Sequence, residues 1–162
     1  MIIHYMQDRD RALPLSPIPR KNWEIDAYPV NEIAEYVQDV SQGDIDVLVE
    51  EYYNKYDMIL DGRDPEEFKK HVAVQAGIEI GFERFLEEKN YQAIVTHFGD
   101  LGSLKQLPGL AIQRLMEKGY GFCGEGDWKT AAMGIEAVYI DGDTTIRNLQ
   151  NELRWNSMYF SK

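Results

Sequence analysis

The residues best placed to do chemistry gather between His97 and Lys129. His97 sits at the C-terminal end of the expected strand Tyr91–Phe98, and Asp100 follows three residues later. A histidine and a carboxylate that close can share a proton or contribute to a cation site. They supply two donors at most, however, and a divalent ion that prefers oxygen ligands needs about five or six. Further along, GYGFCGEGDWK sets Glu125, Asp127 and Lys129 in glycine-rich backbone, where binding side chains often stand. A plainer reading competes with each of these. His97 is then a satisfied strand-end histidine, Asp127 caps a helix start, and Glu125 lies in solvent. Cys123 has no base beside it in the sequence and reads as a packed thiol rather than a nucleophile. His71 falls between Lys70 and Val72 on a helical stretch, and His4 lies near the N-terminus. The glycines do not form a phosphate loop, because neither GxGxxG nor GxxxxGK[ST] is present.

The elements that must position these residues alternate between strand and helix. Trp23–Tyr28 reads as a short strand stopped by Pro29. Val30, Ile33, Ala34 and Val37 then repeat at helical spacing, with Asn31 as a candidate cap. After Gly43 a second helix carries the stripe Ile45, Leu48, Val49, Tyr52, Tyr53, Tyr56. Asp64-Pro65-Glu66-Glu67 is a strong start: aspartate caps, proline takes the first helical position, and Glu67 completes a capping box. That helix runs to about Lys89-Asn90. Gly77 and Gly81 inside it each cost about 1 kcal/mol against alanine, so something should pack closely there. Ala93-Ile94-Val95 centres a buried strand. Leu104–Lys118 reads as helical, with Pro108 tolerable near its first turn and Gly119 as its stop. Gly134–Ile140 reads as another strand, followed by a helix capped at Asp143 or Thr144. This order predicts an α/β fold: a small, Rossmann-like, mostly parallel sheet with helices on both faces.

Residues 1–22 read differently. Pro14, Pro17 and Pro19 break any period, so an irregular N-terminal tail is expected, with 23–162 as one domain. The chain of 162 residues carries a net charge of −11, which argues against nucleic acid and anionic membrane surfaces. Residues 24–57 hold ten acids and a single base, Lys55, most simply a solvated acidic face. No apolar run approaches the length of a membrane span. A single cysteine excludes an intrachain disulfide and fits a reducing cytoplasm.

One stretch has a composition too unusual to be chance. LKQLPGLAIQRLM, then GYGF, then EGDWKTAA closely resembles L-arabinose isomerase, a manganese-dependent aldose–ketose isomerase. Residues 23–133 resemble its central domain. Residues 134–162, with IDGDT and LRWNSMY, resemble its extreme C-terminus, so the chain resembles a truncated and internally deleted relative. The resemblance implies conversion of L-arabinose to L-ribulose, and it implies Phe122 of the GYGF turn as a substrate-binding residue. It implies no metal or catalytic ligand in this chain, since the family's two glutamates and two histidines lie in motifs absent here. Gly99 and Gly102 stand where the commoner family form, FEDLHG, has a glutamate and a histidine. Activity is therefore not expected of this chain alone. The competing expectation is a non-catalytic module that associates with itself or with full-length isomerase subunits. The aromatic groups Tyr52, Tyr53, Tyr56 and Trp155, Tyr159, Phe160 are the expected contact surfaces.

Overall fold

The computed structural model describes residues 2–4, 25–97, 99, 101–132 and 134. The elements in chain order are β1 (Ile2–His4), β2 (Ile25–Asp26), α1 (Val30–Gln38), α2 (Gln42–Lys55), α3 (Pro65–Glu88), β3 (Ala93–Thr96), α4 (Gly109–Glu117) and β4 (Gly121–Gly124). Residues 128–132 add a short helical segment after β4. The four strands form one sheet in the order β2-β1-β3-β4. Every pairing is parallel, with Ile3 opposite both Asp26 and Ile94, and Ile94 opposite Phe122. This is the α/β class the alternation predicts.

Strand alternation divides the core. Ile94 and the partly buried Phe122 face one layer, where they meet Ile33 of α1, Phe82, Phe85 and Leu86 of α3, and Ile112 and Leu115 of α4. Ala93, Val95 and Cys123 face the other way, onto Ala131, Ala132 and Trp128. Helices thus cover both faces, which is why β3 reads as an unbroken apolar run. Outside the first helical layer, α2 packs on α3 through Val49, Tyr52, Val72 and Ala76.

Several local expectations hold for the stated reasons. Asp64 caps α3 by accepting from the Glu67 N–H at 2.8 Å, with Pro65 at the first helical position. Gly119, at φ +110°, ends α4 in a conformation glycine adopts freely. Gly81 lies where α1 crosses α3, and a Cβ there would stand 2.6 Å from the Val37 Cα.

Other expectations are corrected. Residues 1–22 contain Ile2–His4, which is not tail but a strand between β2 and β3. A strand of three residues has no room to display a period. Gly121–Gly124 is also a strand, although glycines at both ends give it the look of a turn. Leu104–Pro108 is not helical, and α4 begins at Gly109. Side chains pin that approach: Asn31 Oδ1 accepts from the Ser103 N–H, Gln75 donates to the Leu107 carbonyl, and Gln106 donates to the His71 carbonyl. Asn31 therefore holds a loop rather than capping α1, whose N-cap position is Pro29. Gly134 is helical, so the expected Gly134–Ile140 strand fails at its first residue, and its remainder lies outside the described residues. The Asp143/Thr144-capped helix, with Trp155, Tyr159 and Phe160, lies outside them too. Tyr52 is fully buried, so the expected tyrosine surface loses one of its three members. Among the described residues no helix is long and apolar enough to cross a membrane.

The two helix glycines make a paired prediction. Gly81→Ala forces a methyl into the α1 backbone and should cost about 1–3 kcal/mol. Gly77→Ala meets only Ile45 Cδ1 at 3.5 Å, an ordinary contact. It should stabilise by about 0.5–1 kcal/mol through helix propensity. Urea denaturation of both variants checks this; equal effects would contradict the close α1–α3 crossing.

Candidate functional site

Parallel sheets place their ligand crevices beyond the carboxyl ends of their strands. Here β3 ends at Thr96 and passes into His97, while β4 ends at Gly124 and passes into Glu125. His97 Nε2 lies 3.3 Å from Glu125 Oε2, with both side chains about half exposed. His97 Nδ1 accepts the Gly99 N–H at 3.0 Å. With Nδ1 accepting, the neutral imidazole carries its proton on Nε2, facing the carboxylate. A Cβ at Gly99 would stand 3.0 Å from the imidazole ring, close enough to press on it. Glu125 sits at φ +57°, followed by Gly126 at φ +76°. The Asp127 N–H closes this tight turn on the Gly124 carbonyl at 3.3 Å. A non-glycine residue held in the left-handed region stores strain, and such residues collect at functional sites.

Asp127 does what the plainer reading expects. Its carboxylate accepts from the Thr130 backbone N–H at 3.1 Å and from the Thr130 hydroxyl at 2.6 Å, capping the helical turn at 128–132. The Thr130 hydroxyl bond leads in lowering its pKa below the usual carboxylate range. Cys123 is buried between Val95 and Ala131, as a packed thiol. His71 is an exposed residue on α3, far along the chain from the strand ends. His4 ends β1, and its side chain, like Asp100, is outside the described residues. Phe122 is partly buried against the main core beside Ile94, one residue into β4. Among the described residues, no group of three or more His, Cys, Asp and Glu side chains could hold a metal ion.

A second charged constellation went unseen in the sequence. Glu79, with no exposed surface, accepts from the Tyr52 hydroxyl at 2.5 Å and from Arg114 Nε at 2.7 Å. Lys118 Nζ lies 3.0 Å from its other oxygen and 2.6 Å from Glu83. Arg114, itself 5% exposed, extends the set to Glu51 at 2.6 Å. Burial pushes the Tyr52 hydroxyl far up, and the Glu79 charge adds to the shift. Burial opposes the charge on Lys118, but its bonds to Glu83 and Glu79 outweigh that and raise its pKa. On paper each of these residues is one polar position on a mixed helix face. Only the three-helix packing shows that they converge.

The fold and crevice define a parallel α/β domain whose strand ends present a paired histidine and carboxylate. The model of the L-arabinose isomerase central domain matches residues 19–141. The chain is 44% identical over 124 residues to the L-arabinose isomerase of Geobacillus kaustophilus (strain HTA426), covering 76% of this chain and 25% of that protein. It is 49% identical over 111 residues to L-arabinose isomerase 1 of Clostridium acetobutylicum, covering 68% of this chain and 23% of that protein. With the enzyme of Serratia proteamaculans the figures are 46% over 121 residues, 74% and 24%. The chain belongs to the L-arabinose isomerase family. Its matched part spans about a quarter of the length of these relatives.

Breaking the Glu79 set from one side strands a buried charge, so Glu79→Gln should cost about 3–5 kcal/mol. The wild-type chain should also be alkali-sensitive. Tyr52 and Lys118 have raised folded-state pKa values, so their contribution is complete below their unfolded values near 10 and is lost as pH rises. Chemical denaturation from pH 7 to 11 should show a plateau followed by a fall above about pH 10. A fall beginning near neutrality would contradict this assignment.

Proposed function

We propose that this chain is a non-catalytic L-arabinose isomerase module, which forms one wall of a sugar site without performing the isomerisation itself. The reaction of the family by kinship is conversion of L-arabinose to L-ribulose in the cytoplasm. It moves hydrogen between C1 and C2 of an open-chain sugar, with a manganese ion as Lewis acid. The observation that carries the proposal is the meeting of His97 and Glu125 at the strand ends, as two donors. That donor set does not fit an oxygen-rich six-coordinate ion, so no step is assigned to a metal held by these residues. What His97 and Glu125 can do is hydrogen-bond sugar hydroxyls, with Nε2 as donor and the carboxylate as acceptor. Phe122 is proposed as a lining residue on the family resemblance alone.

Association with a second copy, or with full-length isomerase subunits, is the accompanying reading. Its support is exposed apolar surface on α2 and the loop after it: Val47 is 70%, Tyr53 41% and Ile59 77% exposed. Exposed apolar groups of this kind mark contact surfaces when they adjoin.

Purified chain incubated with Mn²⁺ and L-arabinose should form no L-ribulose above a no-protein control. Sedimentation of the chain mixed with a full-length relative should show a complex at micromolar concentration. Turnover by the chain alone would overturn the non-catalytic reading, and two independently sedimenting species would remove the association.

A further inference from the structure

Below the His97–Glu125 pair lies a polar atom that the described structure leaves without a partner. The Thr96 hydroxyl oxygen is buried and has no hydrogen bond. Buried hydroxyls are nearly always bonded, because losing water without a replacement is costly. Strand alternation puts Thr96 on the same side as Ile94, towards the main helical layer, while Val95 faces the other way. There Thr96 lines a cavity of about 30 Å³ with Tyr28, Ile33, Phe82 and Leu104. That is room for one water-sized group or little more. The Tyr28 hydroxyl accepts from the Tyr91 hydroxyl at 2.8 Å, whereas the Thr96 hydroxyl has no partner at all.

The character of the walls narrows what that occupant is. Among the described residues no lysine, arginine or carboxylate lines the cavity, and His97 is the polar ring beside Thr96. An ion would be desolvated there without a counter-charge, whereas a neutral O–H group loses little and gains one bond. The position, at the carboxyl end of a central parallel strand, is where ligands of such sheets bind. We infer that Thr96 is a specificity-determining residue whose hydroxyl binds a single hydroxyl of a neutral polyol, the rest of which lies over His97. This rests on the proposed sugar site for the polyol class, but the orphaned hydroxyl and the uncharged cavity stand without it.

The test uses the full chain with L-arabinose and, separately, ribitol as probes, followed by amide and methyl NMR. Saturable shifts at Thr96, Leu101 and Leu104 are expected for the wild type and for Thr96→Ser. Thr96→Val keeps the shape, removes the hydroxyl, and should weaken binding roughly tenfold. A water signal at Thr96 that persists throughout, with no saturable shift, would mean a buried water alone and would overturn the inference. Saturable shifts confined to Phe122 would also overturn it while leaving the sugar-site reading intact. Shifts at Thr96 with ribitol but not L-arabinose would uphold the hydroxyl site and count against the isomerase assignment of the crevice. Undiminished binding by Thr96→Val would overturn the role of its hydroxyl directly.

Discussion

A carboxylate with no exposed surface cannot be left unpaired, and Glu79 sits at the middle of the longest helix. Its partners come from both flanking helices: Tyr52 from α2, and Arg114 from α4 with Lys118 immediately after it. Replacing the whole set together with well-packed apolar residues of similar volume would be about as stable, so the charges are not there for raw stability. What it adds is register, because only one rotation of α2 brings Tyr52 to Glu79 and only one placement of α4 brings Arg114. The acidic exterior of α2 follows from the same rotation. Once Tyr52 faces inward, Asp46 and Glu50 face water.

The strand-end crevice depends on this layer. Held by Glu79, α3 presents Gly81 to Val37, fixing α1, and Gln75 to the approach of α4. The Gln75 amide donates to the Leu107 carbonyl and accepts from the Ala111 N–H, supplying the first turn of α4 with a partner that Pro108 cannot offer. Asn31 of α1 holds Ser103 from the other side. Gly102, at φ +51°, lies so close to Asn31 and Val30 that no larger side chain fits. Loop 101–108 is therefore set in place, and it closes over Thr96. His97 and Glu125 then stand on adjacent strand ends with a tight turn aiming one at the other.

Much of this fold is legible in the sequence where local rules and packing agree. Asp64-Pro65 announces α3 because capping is a local interaction, and of the two glycines inside that helix Gly81 does mark a close neighbour while Gly77 meets only an ordinary contact. The apolar run at Ala93 is legible because both of its faces are covered. Legibility fails where the signal is tertiary. β1 is three residues long and gains its place from strands on either side, not from its own pattern. β4 is flanked by glycines whose turn propensity outweighs a single Phe-Cys pair. Asn31, a good cap by type, serves a loop 72 residues away. The Glu79–Arg114 contact, at a separation of 35 residues, joins two charges that each read as solvated. At the crevice, the His97–Glu125 meeting requires the β3–β4 register, which no spacing in the chain reveals.

The glycine-rich block frames the crevice, and the Glu79 set holds that frame. Native-state hydrogen exchange of the intact chain tests it most directly. If Glu79 binds α2, α3 and α4 into one cooperative unit, amides around Tyr52 and Arg114 should share the slowest exchange class with Phe82 and Phe85, opening only with global unfolding. Exchange around Tyr52 that is orders of magnitude faster, with α3 still protected, would show that α2 opens by itself and would contradict the account.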